Sequence, residues 1–162
     1  MKRAFYLPSI VAVVLALSSL GGRSVSAADW PQFLGPNRNG ISTETKLLDK
    51  FPAGGPPEVW RVKGGGGMSG LVISNGKLAT MVERKGQQQV ILLDAKTGKP
   101  VWNTAIAPAY RNSMGAGPRA TPTIDGELLF AFTGDGILAA LKLSDGSLVW
   151  SHNVVKDMEG RI

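Results

Sequence analysis

Few residues of this 162-residue chain have the types and spacing that chemistry requires. Arg119 could pair with the carboxylates of an anionic ligand, because a guanidinium donates two parallel hydrogen bonds to a carboxylate. The single histidine, His152, lies on a predicted outer strand, where a solvated or packed side chain is more typical than a metal ligand. The chain has no cysteine, so thiolate metal sites and disulfides are excluded, and one histidine does not make a multi-histidine zinc site.

Two connecting segments are further candidates for a binding site. Residues 64–67 are four glycines, but no Gly-Lys-Ser/Thr sequence follows them and no helix is predicted after them, so a phosphate loop is disfavoured. We interpret them as a flexible or tightly turned link. Residues 110–115 join two repeated units and form either part of a site or an ordinary connection.

Residues 1–27 have the composition of a secretory signal peptide. Lys2 and Arg3 make a basic start, residues 10–17 are an unbroken apolar run, and the small residues at 25–28 suit cleavage. The apolar run ends too early for a membrane-spanning helix, which needs about 20 apolar residues. We therefore predict an exported protein, periplasmic or secreted, with no integral membrane anchor in the mature chain.

Cleavage of this segment changes the charge of the protein. Removing Lys2, Arg3 and Arg23 from the 18 basic residues leaves 15 against 12 acidic ones, a net charge of +3. In an exported protein this modest charge gives no case for a nucleic-acid partner.

The elements that must position these residues are repeated along the chain. Two stretches share a polar turn that is closed by glycine and followed by Val-Trp. Gly98 and Gly146 close the two turns, Trp102 and Trp150 follow them, and both pairs are 48 residues apart. A period of about 45–50 residues built from short strands is typical of propeller blades.

Turn sequences separate the predicted strands. Asn75-Gly76 and Asp125-Gly126 lie 50 residues apart and can supply the positive φ that two-residue hairpin turns require. Pro100 cannot donate a ladder hydrogen bond, so the fourth strand of its unit should lie at an edge. The predicted strands are 71–73, 77–83, 89–94, 99–105, 121–124, 127–133, 137–143 and 147–154.

The middle strands of the second unit, residues 128–132 and 137–141, are apolar on both faces. A sheet with one solvated face would alternate, so burial between stacked sheets is indicated. A parallel α/β core would also bury both faces, but no amphipathic helical stretch separates these strands. Trp60, Trp102 and Trp150 each follow valine, and we interpret them as packing between blades, with ligand stacking as the alternative.

We therefore predict an all-β fold, a β-propeller of four-stranded antiparallel blades. Residues 28–58 are predicted to be an extended lead-in with turns, and residues 59–162 to hold about two blades and a lone strand at 59–62. Closure takes at least four blades, so we expect an incomplete propeller, the N-terminal part of a longer one.

The repeat resembles that of the PQQ-like (pyrroloquinoline quinone) β-propellers of exported bacterial proteins, with the pattern Gly-x-Leu-x-Ala-Leu-Asp-x-x-Thr/Asp-Gly-x-x-x-Trp. The second unit follows it with Lys142 at the usual Asp position. Residues 29–40 and 117–123 also look like the corresponding segments of that group. The positions that we assign to the structural repeat are Trp60, Gly76, Asp94, Gly98, Trp102, Gly126, Gly136, Gly146 and Trp150.

This resemblance implies two unlike functions. Quinoprotein alcohol dehydrogenases hold PQQ and Ca²⁺ on the propeller axis, whereas scaffolds such as the outer-membrane assembly lipoprotein bind partners without a quinone. In the enzymes a glutamate, two adjacent cysteines and an arginine contact the quinone. Met68 and Ser113-Met114 stand at the first two of these places, and Arg119 stands at the third.

We predict a non-catalytic binding or assembly scaffold with an unidentified protein or small-molecule partner, and we expect no cofactor in this chain. The alternative is the N-terminal part of a PQQ- and Ca-dependent quinoprotein alcohol dehydrogenase, in which Arg119 would bind the quinone.

Overall fold

The computed structural model describes residues 28–160, and the predicted signal peptide lies outside them. Within that range the chain is almost entirely β-structure, with one short helix. The elements are β1 Val72–Ser74, β2 Lys77–Arg84, β3 Gln87–Asp94, β4 Pro100–Pro108, β5 Arg111–Asn112, β6 Gly115–Ala116, β7 Thr123–Asp125, β8 Leu128–Phe132, β9 Ile137–Lys142, β10 Leu148–Asn153 and α1 Val154–Asp157.

Eight of the strands form two four-stranded antiparallel sheets, each in simple sequence order. Strands β1 to β4 make the first blade, and β7 to β10 make the second. The predicted all-β fold of four-stranded propeller blades is confirmed. Pro100 begins β4, which lies at the edge of its blade because proline cannot donate to a further strand.

The two blades share one apolar core. Val72, Met81 and Leu92 of the first blade are fully buried in one cluster with Leu129 and Leu141 of the second. These side chains come from two facing sheets, so each blade covers the apolar face of the other. This contact explains one apolar face of β8, that of Leu129 and Ala131, whereas Phe132 on its other face is 41% exposed.

The two inner hairpins use different turns. Asn75 and Gly76 both have positive φ, 48° and 70°, as a type I′ turn requires. In the second blade Asp125 pairs with Leu128, so the two loop residues are Gly126 and Glu127. There Gly126 supplies the expected positive φ, 56°, at the first central position, as a type II′ turn requires, and Asp125 ends β7 instead of lying in the turn.

The lone strand predicted at 59–62 is also wrong, because no strand is assigned to those residues. A strand needs a neighbour for its ladder, and within residues 28–160 only an isolated bridge between Gly66 and Glu83 forms in this segment. The last predicted strand stops at Asn153 rather than 154. Asn153 caps the short helix α1 by accepting a hydrogen bond from the Lys156 amide, 3.1 Å.

The lead-in contacts the inner strands of both blades. The backbones of Trp30 and Ile73 exchange two hydrogen bonds, of 2.8 and 3.0 Å, beside β1. The next residue, Pro31, accepts a hydrogen bond from the Ile124 amide of β7, 2.8 Å. The segment thus satisfies backbone groups on the free edges of both inner strands. Within residues 28–160 no helix is long and apolar enough to cross a membrane.

Candidate functional site

The Val-Trp positions form a repeated contact between blades. The Trp102 indole N–H, on β4 of the first blade, donates to the Leu143 carbonyl of the second blade, 3.0 Å. The same ring lies so close to Gly146 that a Cβ there would be 2.6 Å from it. A side chain at this glycine is therefore excluded by packing as well as by its φ of +73°.

Trp60 makes the same contact one unit earlier. Its indole N–H donates to the Ala95 carbonyl, 3.0 Å, and its ring lies 2.7 Å from where a Cβ of Gly98 would be. Residues around Trp60 thus occupy, against the first blade, the place that β4 occupies against the second. Trp150 is 36% exposed, and its ring lies 6.0 Å from that of Phe130.

The turns that receive these rings are held by different carboxylates. Asp94 accepts hydrogen bonds from the Thr97 hydroxyl, 2.7 Å, and the Thr97 amide, 2.9 Å, and these bonds hold the pKa of the Asp94 carboxyl below its usual value. The equivalent position in the second blade is Lys142. There Asp145 accepts from the Ser147 amide, 2.8 Å, and hydrogen bonds from Ser147 lower the pKa of Asp145. The carboxylate that holds the second turn, Asp145, therefore lies three residues after the position equivalent to Asp94.

Arg119, the predicted cofactor contact, is engaged within its own connection. Its Nη2 donates to the Asn112 side-chain oxygen, 2.8 Å, and to the Gly115 carbonyl, 2.9 Å, which ties it to the β5–β6 hairpin. The guanidinium carbon lies 5.8 Å from the centre of the Tyr110 ring, within cation–π range. Its Nε is buried and has no hydrogen-bond partner among residues 28–160.

The other positions of the expected quinone site lie beside this hairpin. The Met68 amide donates to the Pro118 carbonyl, 2.8 Å, and the Met68 methyl lies 3.8 Å from where a Cβ of Gly115 would be. Met68 and Met114 are 60% and 74% exposed. The structure therefore brings Met68, Met114 and Arg119 to one hairpin, although neither methionine supplies a carboxylate or a thiol.

The glycine run at 64–67 has a packing role. A Cβ at Gly65 would lie 2.3 Å from the Glu83 carbonyl, and one at Gly67, where φ is +130°, would lie 2.9 Å from the Pro118 carbonyl. The run lets the backbone lie against β2 and against the entry to β7. This geometry supports the interpretation as a tightly turned link.

Gly136, Gly76 and Gly126 serve their turns in different ways. A Cβ at Gly136 would lie 2.4 Å from Val155 of α1, so this glycine is required by close packing and by its φ of +87°. Gly76 and Gly126 have no atom within 4 Å of a Cβ, so backbone conformation alone favours glycine there.

His152 lies on the outer strand β10, as predicted. Its Nδ1 is 3.4 Å from an Asp157 carboxylate oxygen, and its ring is 5.7 Å from that of Trp150. Both side chains are more than half exposed. Among residues 28–160 no group of three or more His, Asp or Glu side chains is arranged to hold a metal ion.

Sequence reasoning missed three polar contacts at this end of the blades. Arg111 donates to a Glu83 carboxylate oxygen, 2.7 Å. The fully buried Gln88 donates from its amide to the Pro108 carbonyl and to Asp135 of the second blade, both at 2.9 Å. The sequence does not single out Gln88, because it lies between two other glutamines, Gln87 and Gln89, at the start of β3.

Comparison with known proteins gives one family and several solved structures. The family described as outer membrane protein assembly factor BamB matches residues 12–161. No curated protein matches the sequence.

Similar solved structures include BamB from Moraxella catarrhalis, with 26% identity and a TM-score of 0.38 over 55% of this chain and 23% of that one. They also include a europium-containing methanol dehydrogenase, with 23% identity and a TM-score of 0.42 over 52% of this chain and 15% of that one. A quinohemoprotein alcohol dehydrogenase from Comamonas testosteroni has 18% identity and a TM-score of 0.44 over 57% and 14%. The chain thus spans less than a quarter of the length of each.

Proposed function

Since the chain belongs to the family described as outer membrane protein assembly factor BamB, we propose that it is part of a non-catalytic scaffold that binds a protein partner during assembly. The protein is exported to the periplasm after loss of residues 1–27. Residues 28–58 form the lead-in, and the propeller begins at residue 59.

The observation that carries the proposal is the state of Arg119. Its Nη2 already donates to the Asn112 side chain and the Gly115 carbonyl, so this nitrogen positions the β5–β6 hairpin. Because these bonds use the guanidinium to hold the connection between the blades, they favour a connection that contacts a protein partner over one that binds a small ligand through Arg119.

The neighbouring positions support the same proposal. Met68 and Met114 are exposed, and methionine side chains adapt to protein surfaces. A quinone site would need charged or redox-active groups at these places, and Met68, Ser113 and Met114 do not offer them. These three residues therefore differ from the quinone contacts that the resemblance implies, and no catalytic step is assigned to the described residues.

The alternative function is a PQQ- and Ca-dependent quinoprotein alcohol dehydrogenase. The observation in its favour is the buried Nε of Arg119, which has no hydrogen-bond partner in the described part of the chain and could pair with a ligand carboxylate. The two functions predict different partners for the same connection, a protein surface in one case and a quinone in the other.

Crosslinking in living cells tests the scaffold function. A photoreactive amino acid replaces Met114, on the exposed tip of the β5–β6 hairpin, in the full-length protein. We expect a discrete crosslinked adduct with a component of outer membrane assembly. A matched replacement at Lys85, on a neighbouring hairpin turn, measures how far the contact extends. A correctly exported and folded protein that gives no adduct from either position would contradict the proposal.

A further inference from the structure

Two Asn-Gly sequences lie in the described part of the chain, Asn39-Gly40 in the lead-in and Asn75-Gly76 in the first inner hairpin. Asparagine before glycine can lose its side-chain amide, because the glycine nitrogen attacks the asparagine Cγ and glycine has no side chain to hinder the approach. All four residues are exposed, so water reaches both places. In an unfolded chain the two sequences would react similarly, and the structure makes them unequal.

Hydrogen bonds restrain the reacting groups of the Asn39-Gly40 sequence. The Gly40 amide, which would be the attacking group, donates to the Leu34 carbonyl, 2.9 Å. The Asn39 side-chain oxygen accepts a hydrogen bond from the Ile41 amide, 3.0 Å. Both bonds must break before the Gly40 nitrogen can reach the Asn39 Cγ, so the folded structure protects this asparagine.

The Asn75-Gly76 sequence has no such restraint on its nucleophile. Among residues 28–160 the Gly76 amide donates no hydrogen bond, and no atom lies within 4 Å of where a Cβ of Gly76 would be. The Asn75 side chain is held by one long bond, from its Nδ2 to the Ser74 hydroxyl, 3.3 Å. The turn residues can therefore rotate until the Gly76 nitrogen meets the Asn75 Cγ.

We propose that Asn75 is a deamidation site of the folded protein. The Gly76 nitrogen forms a bond to the Asn75 Cγ and loses its proton, while the Cγ–Nδ2 bond breaks and the side-chain nitrogen leaves as ammonia. Water then opens the resulting succinimide ring at either carbonyl, which gives aspartate or isoaspartate. The reaction needs no oxidant or reductant, and its only co-reactant is water.

The Asn75 turn also holds the start of the lead-in. The Asp29 carboxylate accepts hydrogen bonds from the Asn75 amide, 3.1 Å, and from the Ser74 hydroxyl, 3.0 Å. The next residue, Trp30, exchanges two backbone hydrogen bonds with Ile73. Together these bonds tie the beginning of the lead-in to the free edge of β1.

Deamidation would place a second carboxylate beside Asp29. The neutral Asn75 side chain donates to the Ser74 hydroxyl, whereas a carboxylate cannot donate and repels Asp29. Isoaspartate also lengthens the backbone within the turn. Modification of Asn75 should therefore weaken the attachment of the lead-in to β1, and the site would couple the age of the protein to the release of this segment. This inference does not depend on the scaffold function.

Peptide mapping of the full-length protein by mass spectrometry tests the proposal. Folded protein is incubated at mildly alkaline pH beside a sample in guanidinium chloride. In the folded sample the Asn75 peptide should gain about 1 Da, the difference between NH₂ and OH, at least about tenfold faster than the Asn39 peptide. In the denatured sample the two peptides should react at similar rates, because the bonds that restrain Asn39-Gly40 are lost.

Two variants test the consequence. Asn75→Asp places the product carboxylate in the turn, and aspartate tolerates the positive φ as asparagine does. The Ile73 amide, which donates to the Trp30 carbonyl, 3.0 Å, should exchange its hydrogen about tenfold faster in this variant. Asn39→Asp makes the same charge change in the lead-in and keeps an acceptor for the Ile41 amide, so it should leave the Ile73 rate unchanged.

Folded protein in which Asn39 reacts as fast as Asn75 would overturn the assignment of the site. So would folded protein in which Asn75 stays intact while the denatured sample reacts. Unchanged exchange of the Ile73 amide in Asn75→Asp, or equal acceleration in Asn39→Asp, would overturn the release of the lead-in.

Discussion

The indole of Trp102 lies against Gly146 of the next blade and donates its N–H to the carbonyl of Leu143. A Cβ at Gly146 would lie only 2.6 Å from the nearest atoms of this ring. The same relationship joins Trp60 to Gly98 and Ala95. One aromatic residue per unit therefore fixes the distance and the register between neighbouring elements of the propeller.

Gly146→Ala should destabilise the protein strongly. The new methyl group would collide with the Trp102 ring, and alanine tolerates a φ of +73° poorly, so we expect a loss of about 2–4 kcal/mol in the free energy of unfolding. Gly76→Ala is the matched control, because φ is +70° but no atom lies within 4 Å of the added Cβ. It should cost only about 1–2 kcal/mol in urea denaturation. Equal losses would show that the glycine serves backbone conformation alone.

Trp102→Phe should separate the hydrogen bond from the ring. Phenylalanine keeps an aromatic ring but leaves the Leu143 carbonyl without its donor, which should cost about 1–3 kcal/mol. Trp60→Phe removes the equivalent bond to Ala95 and should cost a similar amount. The measurement is denaturant unfolding of both variants. A large loss at one position and none at the other would contradict the equivalence of the two contacts.

Much of the fold could be predicted from the sequence because its determinants are local. Turn chemistry at Asn75-Gly76 and the apolar runs beside it set most strand bounds within a few residues. The strand predicted at 59–62 is wrong because a strand depends on a hydrogen-bonded neighbour, and no local sequence pattern supplies one. The place of Trp30 beside Ile73 was equally hidden, since the two residues are 43 positions apart and their contact is made by backbone atoms.

The candidate site was less predictable than the fold. The sequence singled out Arg119, but its partners, Asn112 and Gly115, depend on how the connection folds back on itself. The departure at Lys142 was visible in the repeat. Its consequence was not, because the structure is needed to show that Asp145 holds the second turn by accepting the hydrogen bond from the Ser147 amide.

The stability of the protein should depend on pH through Asp94. Hydrogen bonds from Thr97 lower the pKa of this carboxyl in the folded state, so its contribution to stability is complete above the pKa of the unfolded chain and is lost as the pH falls through the lower folded pKa. Asp94→Asn removes this titration. Unfolding free energies measured from neutral pH downwards should differ between variant and parent most at neutral pH, and the difference should shrink in acid. A difference that does not depend on pH would contradict the assignment.

Arg119→Gln should loosen the β5–β6 hairpin rather than the blades. It removes the bonds to Asn112 and the Gly115 carbonyl, and the Gly117 amide, which donates to the Tyr110 carbonyl, should exchange its hydrogen about tenfold faster. Amides of β3 serve as the internal control and should keep their rates. Unchanged exchange at Gly117 would show that Arg119 does not position the hairpin.

The most direct test of the scaffold function is a spectroscopic titration of the full-length protein with PQQ and Ca²⁺. We expect the quinone absorbance to disappear on dialysis, because Met68, Ser113 and Met114 offer the quinone no charged or thiol contact and the Arg119 Nη2 is held by its own hairpin. We also expect no reduction of a dye by alcohols. Quinone absorbance that survives dialysis, together with alcohol-dependent dye reduction that Arg119→Gln abolishes, would contradict the scaffold and establish the dehydrogenase.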